Sequence, residues 1–90
     1  MSNEELRRLR AEIDRVDEGL LALFLERMRL VGEIGAHKSK NGLPTRDEGR
    51  EAEILACVRE QAGAALADEA EALFRTLIAL SRARQEDRDT

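Results

Sequence analysis

Ninety residues make one domain at most, expected to span 1–90, and so short a chain buries only a modest share of its surface, so partner chains help it. Charged residues make up 38%, the formal net charge is −4, and Lys and Arg are interspersed with acids, which argues against nucleic acid and membrane as partners. The apolar share is dominated by Leu and Ala, with two Phe, no Trp, no Tyr and one Pro, a composition that predicts an all-α fold.

From Leu6 the apolar residues run Leu6, Leu9, Ile13, Val16, Leu20, Leu23, Leu30 and Ile34 in steps of three and four, a heptad seam. No proline interrupts it before Pro44, so a long N-terminal helix over about 3–39 is expected, roughly 55 Å at 1.5 Å per residue. Gly19, Gly32 and Gly35 weaken it locally, and a break there is the alternative. A compact chain of this size has a radius of gyration of about 12 Å, so such a rod overhangs what two short helices can cover. Its seam calls for a second chain, and a homodimer is the simplest supply.

Asn41, Gly42 and Pro44 stop the first helix. Thr45 with Glu48 has capping-box spacing and predicts a second helix over about 46–62, with Ile54, Leu55 and Val58 on its buried side. Gly63 ends it, and Asp68 with Glu71 repeats the signal before a third helix over about 68–86 that carries Leu73, Phe74, Leu77 and Ile78. Cys57, the sole cysteine, excludes a disulfide framework and a thiolate metal cluster, and reads as a small packing residue. The segment MSNEELRRLR has no apolar core of a signal peptide and no apolar run approaches about 18 residues, so a cytoplasmic location is expected.

Polar residues stand where apolar ones belong. Four residues after Leu23 the seam lands on Arg27, a guanidinium that is costly to bury unless an anion meets it. Lys38, three turns on, has nearly the same azimuth, over a floor of Val31 and Ile34. Two cations on an apolar wall suit a small organic anion; a structural ion pair for Arg27 is the competing reading. Asp47, Arg50 and Glu51 cluster on the first turn of the second helix, either as a site or as a solvated turn whose acids favour the helix dipole. Ser81 and Gln85 follow Leu77 and Ile78 on the third helix, as site residues or as a face turning to solvent. There is no Ser-His-Asp set, and His37, the sole histidine, reads as a surface residue.

Leu9-Arg10, Ile13, Asp17, Leu20-Leu21-Ala22-Leu23, Glu26-Arg27, Gly35, Lys38, Pro44, the run Arg46-Asp47-x-x-Arg50-Glu51, and Ser81 with Gln85 resemble, in order and spacing, the all-helical (AroQ-type) chorismate mutases over nearly the whole chain. The resemblance implies an intertwined homodimer of three-helix chains, no cofactor, no metal, and the Claisen rearrangement of chorismate to prephenate on the way to phenylalanine and tyrosine. Carried across by position, Arg27 pairs with one substrate carboxylate and Arg10 reaches in from the partner chain. In support, Arg10 and Arg27 are 17 residues apart, about 25 Å along one helix and too far to share one small ligand. Lys38 contacts a carboxylate and the ether oxygen, Gln85 donates to that oxygen, and Ser81 binds a carboxylate. Glu51 accepts from the substrate hydroxyl, which the Asp47 backbone also contacts, and Arg50 supports that cluster. The linker and residues 63–67 match loosely, and Leu80 stands where some relatives are expected to be polar, which leaves pocket shape open. The rivals are an isochorismate-pyruvate lyase, disfavoured by Glu51, and a non-catalytic helical dimerisation module, disfavoured by Arg27 and Lys38.

Overall fold

The computed structural model describes residues 2–88, the last two by backbone alone; Met1, Asp89 and Thr90, the ends of the expected domain, lie outside the described residues. The described residues form three α-helices and no strand: α1 Asn3–Lys40, α2 Glu48–Ala62 and α3 Ala67–Arg88. Ser2 opens α1, its Oγ accepting from the Glu5 amide at 3.1 Å. Glu4 and Glu5 set negative charge against the positive end of the helix. At the other end Gly42 takes φ +66°, its amide donating to the Ser39 carbonyl at 3.3 Å and the Leu43 amide to the Lys38 carbonyl at 2.8 Å. This left-handed closure consumes carbonyls the helix would otherwise leave unpaired, and glycine adopts it without a steric penalty.

The start of α2 differs from the sequence expectation. Asp47 is the N-cap, its Oδ1 accepting from the Arg50 amide at 3.0 Å. A helix opened by Thr45 would need the Thr45 carbonyl as its first acceptor, and that carbonyl takes the Lys38 ammonium at 2.7 Å instead. The Asp68 and Glu71 signal is likewise spent elsewhere: α3 begins at Ala67, and both carboxylates accept from Arg59 Nη1 at 2.9 Å. Gly63, at φ +81°, closes α2 with its amide on the Arg59 carbonyl. Cys57 is exposed rather than packed.

By internal contacts the chain divides into two units, Met1–Leu30 and Val31–Thr90. In the second, α2 and α3 pack together. Arg59, late in α2, pairs with residues early in α3, and Glu51, early in α2, pairs with Arg82, late in α3, so the two helices run antiparallel. Ile54, Leu55 and Val58 are half-buried and Ile78 is buried. The last turns of α1 join this unit through buried Val31, Gly32 and Gly35. Gly35 sits against α3 so closely that a Cβ there would lie 3.1 Å from the Gln85 Cα. In the first unit the seam is open to solvent: Ile13 is 57% exposed, Val16 62%, Leu20 55% and Leu23 69%.

Candidate functional site

The close of α3 meets the close of α1 at Gln85 and Gly35 and the start of α2 at Arg82 and Glu51, so Lys38, Glu51, Ser81 and Gln85 lie toward one end of the second unit. Gly35 fixes that meeting by letting α1 touch α3 at Gln85, and Lys38 follows one turn later. Lys38 is half-buried. An ammonium carries three donors, so its bond to the Thr45 carbonyl leaves two for a ligand. Ser81 and Gln85 occupy the inward face of α3 at 8% and 9% exposure, where a helix filling a core would carry apolar side chains. The Ser81 hydroxyl donates to the Leu77 carbonyl at 2.7 Å. Gln85 Oε1 is buried without a hydrogen-bond partner, an uncompensated cost of about 1–3 kcal/mol.

Glu51 lies on the first turn of α2 with its side chain 21% exposed. Arg82 Nη2 donates to both Glu51 oxygens at 3.1 Å, and Arg46 Nε lies 3.8 Å from Oε1. Asp47 spends its side chain on the cap. Arg50 is turned outward, 66% exposed and paired with Glu53 at 3.5 Å along its own helix. In the first unit Arg27 is half-buried and Arg10 is exposed. Displaced protonation is found at Glu26, next to Arg27 in the chain, and at Glu71, at the far end of α2 and α3. A hydrogen bond from Arg29 holds the Glu26 carboxyl below its ordinary value, and hydrogen bonds from Arg75 and then Arg59 do the same for Glu71.

Arg82 escapes the sequence reading. Its signal is present, since it lies four residues after the buried Ile78 and beside Ser81, hence on the inward face of α3, yet Arg at the end of a helix also reads as a solvated residue favouring the dipole. Gly35 appears in the sequence without a role, and the structure supplies one in the contact with Gln85.

No described helix is long and apolar enough to cross a membrane. The T-protein of Enterobacter agglomerans is 48% identical over 60 residues, 67% of this chain and 16% of that protein. A bifunctional chorismate mutase/prephenate dehydratase of Aquifex aeolicus is 52% identical over 52 residues, 58% of this chain and 14% of that protein. The T-protein of Haemophilus influenzae is 41% identical over 59 residues, 66% of this chain and 16% of that protein. The chain therefore spans only a small part of the length of these relatives. The family described as chorismate mutase type II matches residues 9–86, from the seam of α1 through the polar inward face of α3, and the chain belongs to that family.

Proposed function

We propose that the chain is a chorismate mutase, a single domain over 1–90 that converts chorismate to prephenate in phenylalanine and tyrosine biosynthesis, in the cytoplasm and without a cofactor. The observation that carries this reading is the polar filling of the α3 inward face by Ser81 and Gln85, at the end of the unit that also holds half-buried Lys38 and Glu51, in a member of this family. A unimolecular pericyclic rearrangement needs no acid, base or nucleophile. It needs the compact conformer held, and donors aimed where charge develops as the ether bond breaks.

Lys38 and Gln85 supply those donors. The two uncommitted Lys38 protons suit a carboxylate and the ether oxygen, and an amide at Gln85 donates to that oxygen at any ordinary pH. Arg27 binds one substrate carboxylate. Ser81 binds a carboxylate by turning its hydroxyl away from the Leu77 carbonyl. Glu51 accepts from the ring hydroxyl through lone pairs that Arg82 leaves unused, beside the Asp47 backbone, and Arg50 supports the cluster by turning in from Glu53. Arg10 enters from the partner chain of an intertwined homodimer, a state supported by the open seam of Ile13, Val16, Leu20 and Leu23.

Incubating purified protein with chorismate, without added metal, is expected to yield prephenate. No consumption of chorismate, or salicylate and pyruvate formed from isochorismate in its place, overturns the reading. Mixing Arg10→Ala with Lys38→Ala chains is expected to recover activity in the heterodimer, and no recovery removes Arg10 from the partner's site.

A further inference from the structure

The Glu51–Arg82 pair differs from the ion pairs that Arg59 makes between α2 and α3. Arg59 lies at the far end of the two helices, itself 44% exposed, and divides its Nη1 between Asp68, 86% exposed, and Glu71, 25% exposed. At the near end the two side chains are 33% and 21% exposed. Arg82 leaves the packed face of α3 next to Ser81, and its Nε is buried without a hydrogen-bond partner. A part-exposed pair contributes little to stability, and the buried Nε without a partner subtracts from that, so stability alone is a poor reason for it. The geometry it imposes is specific. One nitrogen, Nη2, stands at 3.1 Å from both Glu51 oxygens, which holds the carboxylate against α3 and leaves lone pairs on both oxygens.

We infer that Arg82 is a positioning residue: it orients the Glu51 carboxylate to receive the substrate's ring hydroxyl, and so acts on the rearrangement through Glu51 without touching substrate. The inference rests on the mutase reading above. A carboxylate no longer tethered to α3 can swing away with its side chain, and a misplacement of about 1 Å in a positioned group costs on the order of a hundredfold at worst.

The test compares chorismate with an analogue lacking the ring hydroxyl, in steady-state kinetics and thermal melting of the full chain. Arg82→Met is expected to lower kcat/KM for chorismate at least about tenfold and to change that for the analogue by less than about twofold. Arg82→Lys, which keeps a cation near Glu51, is expected to recover part of the loss and guards against a Met variant that fails to fold. Adding Glu51→Gln to Arg82→Met is expected to cost little beyond the worse single variant, because the two residues act as one device. Equal losses on both substrates, additive losses, or a lowered melting temperature with unchanged kinetics in both Arg82 variants overturns the inference alone. A wild-type chain inert toward chorismate overturns the mutase reading, and the inference with it.

Discussion

In the unit Met1–Leu30 no described residue is buried, whereas Val31–Thr90 buries residues from α1 and α3 and places two polar side chains, Ser81 and Gln85, among them. The first unit has the regular seam and no cover for it; the second has cover and interrupts it with polar groups. Fully burying an aliphatic side chain gains about 1.5–3 kcal/mol, and Ile13, Val16, Leu20 and Leu23 are still 55–69% exposed, so covering them gains roughly 4–7 kcal/mol, comparable with the whole stability of a small domain. On the proposed function, the uncovered apolar pattern is the place for the partner chain and the polar residues kept inside are the place for the substrate.

The largest expected effect breaks the first half of that contrast. Leu20→Asp with Leu23→Asp is expected to abolish the folded assembly, read by circular dichroism and sedimentation, while the wild-type melting temperature rises with protein concentration. A double variant that melts like wild type, or a wild-type melting temperature independent of concentration, removes the partner chain. The second half predicts the reverse balance, activity lost with the fold kept. Lys38→Ala and Gln85→Ala are expected to lower kcat/KM at least about tenfold, since a charge-assisted contact is worth about 1.5–3 kcal/mol. Gln85→Glu should move activity toward acid, where a carboxyl regains a proton to donate; a pH profile like that of wild type would remove Gln85 from the ether oxygen.

A smaller effect changes sign between the units. Gly35→Ala puts a methyl 3.1 Å from a backbone atom, Gln85 Cα, which a side-chain rotation cannot relieve, and a loss of about 1–3 kcal/mol is expected. Gly19 has nothing within 4 Å of a new Cβ, so Gly19→Ala should add up to about 1 kcal/mol from helix propensity. Denaturant melts of the two variants check both signs, and a loss at Gly19 would locate a partner helix against that face.

The three-helix order was legible because periodicity, Pro44 and the glycines at 42 and 63 act through local rules. The errors fall where a nearby group competes for the same atoms. Thr45 has capping spacing, but Lys38 claims its carbonyl and the cap passes to Asp47. Asp68 and Glu71 have it too, but Arg59 claims both carboxylates. Lys38, Ser81 and Gln85 were legible as candidates because they are polar where an apolar face is expected, and Glu51 because it belongs to a polar cluster on the first turn of α2. Arg82 could not be separated from a solvated arginine, because its meaning lies in a contact with Glu51, 31 residues away.

The smallest effect belongs to the far end of the second unit, where charge does structural work. Glu71 is held below its ordinary protonation range, first by the hydrogen bond from Arg75 and then by that from Arg59. A carboxyl depressed in the folded state contributes stability above its unfolded value and loses it as pH falls through the folded one. Wild type should therefore lose melting temperature on acidification below the ordinary carboxylate range, and Glu71→Gln should start slightly lower at neutral pH and lose less. The two curves converge in acid. The difference should also shrink with added salt, because Arg75 and Arg59 are 64% and 44% exposed and exposed pairs are screened. Parallel curves at every pH would mean that Glu71 contributes by packing, and that the two ends of the α2 and α3 hairpin do not divide structure from positioning as Arg59 and Arg82 suggest.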